Sequence, residues 1–331
     1  MEDVDTRRVS VFLAVTFAVS WATAAVIYAT GGLTDSATLV GPLTVSAVLL
    51  PTGYMFGPAV GNVVTRIATN EGWTELLLDP NPEGNLRTYA AMWLAPAVLT
   101  LLGAALFFAA FPSTFDPSMQ GYAAALAEAG ATSIDPALLV AIQVVAAVTV
   151  APLLNGLFAF GEEFGWRAYL LPKLLPLGVR EAVLLHGVVW GVWHWPLIAM
   201  GDEYGFGYPG FPWTGFLVFL PFTVSLGVIF AWATFRVESV WPAAVGHGAV
   251  NAIAPLAAVF VAGDPNPLLG PLPVGIVACA PFIATAAWLL ARSDLLDPAT
   301  ATPLVDDAAD ADTGVAADDA DPVASDDGDA T

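Results

Sequence analysis

The chain is poor in charge. Of 331 residues only 12% are Asp, Glu, Lys or Arg, and the nine basic residues include a single lysine, Lys173. A soluble domain carries roughly twice that charged fraction. Cysteine is confined to Cys279, which excludes an intrachain disulfide. Histidine is confined to His186, His194 and His247. Three hydrolase signatures are missing: His-Glu-x-x-His, Gly-x-Ser-x-Gly, and a Gly-Asp pair buried inside a hydrophobic run. A net charge of −21 speaks against nucleic acid as a partner, because an acidic surface repels phosphate.

What the chain has instead is apolar length. It is 57% hydrophobic, with a mean hydropathy of +0.72. Eight uncharged stretches run Val9–Thr30, Ser36–Thr65, Thr88–Phe115, Ala137–Gly161, Ala182–Gly201, Gly205–Phe235, Ser239–Gly263 and Pro265–Ala291. Each reaches or exceeds the ~20 residues that cross a bilayer. These predict an all-α, polytopic integral membrane protein of about eight transmembrane helices over residues 1–292, in contact with membrane lipid. The first run is too long for a signal-peptide core, so it is read as an uncleaved helix.

Arg7, Arg8, Arg66, Arg87, Arg167, Lys173, Arg180, Arg236 and Arg292 fall at alternate ends of these stretches. With eight spans, all of them lie on one side, and the loops of the other side carry only acids such as Asp116, Asp202, Glu203 and Asp264. The positive-inside rule then predicts a multi-pass protein of the cell membrane with both termini cytoplasmic. Beyond Arg292 the chain is an Asp-rich tail, residues 293–331, with twelve acids. Such a composition predicts disorder and solvation in a salt-rich, halophilic cytoplasm. Within the membrane domain, Pro51 and Pro58 predict that the second stretch ends near Tyr54 and that a short amphipathic helix, Pro58–Thr69, returns along the cytoplasmic face.

The densest chemistry is Gly161-Glu162-Glu163-Phe164-Gly165-Trp166-Arg167, at the end of the fourth stretch. Carboxylates and a guanidinium there are expensive in hydrocarbon and mark a functional site. Glu163 and Arg167 are four apart and share a helix face, so they brace one another. Glu162 points about 100° away and has no partner on its own helix. His194 lies in the fifth stretch, and His247 and Asn251, four apart, lie in the seventh. Gly246 and Gly248 flank His247 and allow close approach of a neighbour.

Each residue alone fits a bland reading, since intramembrane His and Asn often serve only as interhelical glue worth about 0.6–2 kcal/mol. Together they supply a general base, its partners and an oxyanion donor. Glu162, His194 and His247 would also suit a zinc ion. If the fourth helix ends at Leu171, Glu162 sits about 14 Å below the cytoplasmic surface at 1.5 Å per residue.

Glu162-Glu163-x-x-x-Arg167, then Trp190-x-x-x-His194, then His247-x-x-x-Asn251 resemble the three motifs of the CPBP (CAAX protease and bacteriocin-processing, or Abi) family of intramembrane proteases. The resemblance covers about residues 58–261, and Trp190 stands where that family usually has Phe. It implies a hydrolase of the CAAX-processing metalloendopeptidase type, acting on a hydrophobic or prenylated peptide or protein. By that resemblance Glu162 activates water, His194 holds it, and His247 and Asn251 bind the oxyanion. Glu163 and Arg167 then pin the helix, and Trp190 packs. Both a zinc mechanism and a metal-free Glu/His mechanism are described for such proteins. The competing expectations are a catalytically silent membrane scaffold or immunity-type protein, and a transporter using the same polar residues.

Overall fold

A computed structural model describes residues 3–130 and 135–296. It is a bundle of helices with one two-stranded hairpin, Thr38–Val40 against Leu43–Thr44. Among the described residues, six helices are long and apolar enough to cross a membrane, and a bent pair makes a seventh. They are α1 (Thr6–Ala29), α2 (Val45–Ala68), α3 (Leu86–Ala110), α4 (Pro136–Val148 with Ala151–Leu177), α5 (Val179–Ala199), α6 (Trp213–Val237) and α7 (Trp241–Phe260). The eighth expected span is helical only in its second half, α8 (Ala280–Ala291), which at 12 residues is about 18 Å long. Eight is therefore an approximation. Large apolar side chains such as Leu94, Leu101, Ile142, Leu157 and Leu217 stay exposed around the bundle, as a lipid-facing surface requires. The tail expected to be disordered lies outside the described residues, apart from its first four.

The helix expected over Pro58–Thr69 forms, as Gly57–Ala68, but it does not turn back. Val45–Ala68 is one span of 24 residues. Pro51 is absorbed by a π-helical turn, Leu50–Tyr54, and Pro58 stands in the first turn of the resumed helix, where its missing N–H leaves no bond unmade. Close packing fixes the direction. A Cβ on Gly57 would lie 1.9 Å from Ser20 Oγ, and one on Gly61 would lie 2.1 Å from Thr16 Oγ1, so α2 must run along α1.

α4 bends by 58° after Val148. Pro152 is the cause, since its ring would collide with the carbonyl four residues back, that of Val148. The freed carbonyl is not orphaned: Trp93 Nε1 donates to it at 2.8 Å. The second half of α4 then runs on through a π turn at Trp166–Leu170 to Leu177, beyond the expected end at Leu171. That places Glu162 15 residues, about 22 Å, from this end of α4, not 14 Å.

The end of the bundle that gathers the basic residues is tied together. Glu71, after α2, accepts from Lys173 Nζ and from Tyr169 Oη at 2.9 Å, and Arg8 Nε stands 3.4 Å from it. Asn81 Nδ2 donates to the Val237 carbonyl at 3.1 Å, and Trp241 Nε1 donates to the Leu78 carbonyl at 2.8 Å.

Candidate active site

Glu162 and Glu163 sit in the second half of α4, shortly before the π turn that carries Arg167. Pro172 accounts for that turn. It cannot donate to Ala168 and would clash with its carbonyl, so the turn widens and the Leu171 N–H bonds instead to the Trp166 carbonyl. Arg167 Nη1 donates to Glu163 Oε1 at 2.9 Å, which is the brace the four-residue spacing predicts. His247 Nδ1, from α7, reaches the same oxygen at 2.7 Å. Glu163 and Arg167 are completely buried, and His247 is 5% exposed. The guanidinium lies 4.3 Å over the Trp190 ring and 5.2 Å over that of Phe230.

α7 can deliver His247 because the helices nearly touch. A Cβ on Gly248 would lie 2.4 Å from the Gly156 nitrogen of α4. The small residue read from the sequence as permitting close approach sits at that crossing.

Glu162 turns the other way. Its Oε2 accepts from Trp190 Nε1 at 2.9 Å, and no other hydrogen-bond partner holds it among the described residues. One carboxylate oxygen is thus anchored and the other is free to take a proton. The Trp190 carbonyl accepts from His194 Nδ1 at 2.9 Å. A carbonyl only accepts, so Nδ1 carries the proton and Nε2 of the neutral ring is left as an acceptor. Trp190, expected as a packing residue, thus also bonds both Glu162 and His194. Replacing it by Phe removes the Glu162 bond and keeps the ring. We expect the Trp190→Phe variant to lose about tenfold in turnover, the scale of a second-layer partner, with KM unchanged; an unaltered rate would reduce Trp190 to packing.

Glu162, His194, His247 and Asn251 all line one cavity of about 540 Å³. Asn251 is exposed to it, and its amide has no partner among the described residues. Tyr54, Asp202 and Glu203 share the lining. The sequence reading passed over these three. Tyr54 looked like a span end, though its hydroxyl donates to the Trp193 carbonyl. Asp202 and Glu203 looked like solvated loop acids, and the only signal was an adjacent carboxylate pair directly after an apolar run. His186, whose role the sequence left open, is fully buried edge-to-face on Trp166 at 6.2 Å and does not line the cavity.

Burial and the neighbouring Asp202 carboxylate push Glu203 up to about 8, and burial raises Asp202 as well. The folded protein therefore holds the Glu203 proton more tightly than the unfolded chain does. Its contribution to stability is complete below the ordinary carboxyl range and is lost as pH climbs through about 8. The melting temperature in detergent should fall between pH 5 and 8.5, and Glu203→Gln should flatten that fall. Parallel curves for the two proteins would show that Glu203 ionises normally.

Two imidazoles and a carboxylate are a chemically suitable set for zinc. Among the described residues, however, no three His, Cys, Asp or Glu side chains converge on a point where a metal ion would sit. Glu162, His194 and His247 do not fit a metal centre without rearrangement.

Residues 136–253 match a family model described as "Type II CAAX prenyl endopeptidase Rce1-like". That range contains Glu162, Glu163, Arg167, Trp190, His194, His247 and Asn251, and is narrower than the 58–261 expected from the motifs. A curated relative, "CAAX prenyl protease 2" of Methanococcus maripaludis, is 30% identical over 93 residues, covering 27% of this chain and 34% of that protein. The chain spans about a third of the length of the curated relative it matches.

Proposed function

From the match of residues 136–253 to an Rce1-like family model and from the likeness to the relative, we propose an intramembrane endopeptidase that hydrolyses a peptide bond in a membrane-associated substrate. The observation that carries the reading is the shared cavity: four polar residues from three helices line it, and a buried Glu163–Arg167–His247 cluster fixes one of them from behind.

The free oxygen of Glu162 takes a proton from water as the water oxygen adds to the scissile carbonyl. His194 Nε2 accepts the water's second hydrogen and orients it. The carbonyl oxygen becomes an oxyanion, held by the Asn251 amide and by His247 Nε2–H when that ring carries both protons. As the C–N bond breaks, the departing amine takes the proton from Glu162. Atoms and charge balance with Glu162 and imidazole chemistry alone, and no step needs a metal. The descriptions of the family model and of the relative name CAAX prenyl proteolysis, which supports a membrane-associated prenylated protein as the substrate. A site inside the bilayer suits a substrate whose anchor is already there.

A farnesylated reporter peptide in proteoliposomes tests the reading, with product formation as the readout. We expect Asn251→Ala to lower turnover about 10²–10³-fold, the range for one oxyanion donor. A loss under tenfold would assign Asn251 to packing.

A further inference from the structure

α5 changes its hydrogen-bond ladder at the residue that orients the water. The His194 N–H bonds to the Gly191 carbonyl at 3.1 Å, and the Leu197 N–H to that of His194 at 3.0 Å. Pro196 has no N–H to give. The carbonyls of Trp190 and Trp193 therefore find donors outside the backbone ladder. The first takes the His194 ring itself, at 2.9 Å. The second lies in the planar peptide unit that also holds the His194 amide. Its oxygen accepts twice, from the Tyr54 hydroxyl of α2 and, at 3.2 Å, from Trp21 Nε1 of α1.

Tyr54 is itself fixed on several sides. It ends the π turn Leu50–Tyr54, which the Met55 N–H closes on the Leu50 carbonyl at 3.0 Å. Its own carbonyl accepts from Ser20 Oγ at 2.9 Å, its ring lies 4.3 Å from that of Trp193, and it is fully buried in the cavity wall. We infer that Tyr54 and Trp21 are positioning residues of this site: they hold the Trp193–His194 peptide plane, and through it the direction in which His194 Nε2 points. Each commits its O–H or N–H to the carbonyl, so neither serves as a proton donor to substrate. Both precede residues 136–253, so the site draws on two spans outside the family-matched segment. What His194 does there rests on the endopeptidase reading; the fixing of its peptide plane stands on the hydrogen bonds.

A chain with three histidines lets the effect be read without an assay of activity. The full-length protein in detergent is isotope-labelled at histidine Cε1, and replacing each histidine in turn assigns the three ring signals in its NMR spectrum. In Tyr54→Phe we expect the His194 signal to shift or split while those of His186 and His247 stay in place. Turnover of the reporter peptide should fall about tenfold with KM unchanged, the scale of a partner one layer behind the reacting groups. Trp21→Phe should have a smaller effect of the same kind, since the hydroxyl still holds the carbonyl. An unmoved His194 signal in Tyr54→Phe overturns the inference whatever the rate does. Movement of all three signals overturns it as well, because Tyr54 then braces the bundle at large. So does a shifted His194 signal with unaltered turnover in an active protein. A wild-type protein that cleaves no peptide refutes the endopeptidase reading instead, and the His194 signal alone then decides whether Tyr54 holds the ring.

Discussion

Glu162→Gln should reduce cleavage of the reporter peptide at least 10³-fold, within the range a general base supplies, while the protein still inserts and melts near the wild-type temperature. Gln has the shape of Glu, and its side-chain oxygen can still accept the Trp190 Nε1 hydrogen bond that anchors Glu162 at 2.9 Å. What faces the cavity then is an amide nitrogen, which cannot take a proton from water. His194→Ala should produce a loss of the same order, because it removes the acceptor that orients that water. Residues acting on one proton transfer are not additive, so the double variant should be no slower than the worse single one. A Glu162→Gln protein within tenfold of wild type would remove Glu162 from the role of base. A silent scaffold would show no cleavage with any of these side chains, wild type included.

The sequence disclosed the membrane architecture because hydrocarbon leaves helices few alternatives, and an uncharged run of about 20 residues can do little else. Seven of the eight stretches became full-length helices or a bent pair. The misreadings have local causes. Pro51 and Pro58 together read as a break, but a π turn and a first-turn position accommodate both. Pro265–Ala291 has the composition of a span, yet its first half folds as turns. In the site, periodicity was enough for Glu163 and Arg167, since four-residue spacing puts them on one face. It could not show that His247 would share Glu163 Oε1 with Arg167, because that contact depends on how closely α7 approaches α4. Asp202 and Glu203 were hidden for the same reason: a loop's neighbours are set by tertiary packing. The Trp190 bond to Glu162 was hidden because an indole reads first as bulk.

Glu163→Ala should be the most damaging single change to the fold, costing about 3–5 kcal/mol, the penalty for breaking a buried ion pair. It leaves the Arg167 guanidinium, with no exposure at all, without its anion, and takes the acceptor from His247 Nδ1. Taking a carboxylate and a guanidinium out of water costs several kcal/mol that their mutual attraction repays only in part. This argues that the charges are retained for what they position. Glu163→Leu combined with Arg167→Met tests that directly. A buried pair replaced by apolar residues of similar volume is often neutral or stabilising, so the double variant should recover most of the melting temperature lost by Glu163→Ala. Its activity should not recover, because His247 no longer has the carboxylate that aims Nε2 toward the cavity. Recovery of both would make the cluster a structural brace alone. Recovery of neither would mean that the carboxylate supports the helix crossing through more than its charge. Stability regained without turnover is the outcome that ties the buried triad to the chemistry in front of it.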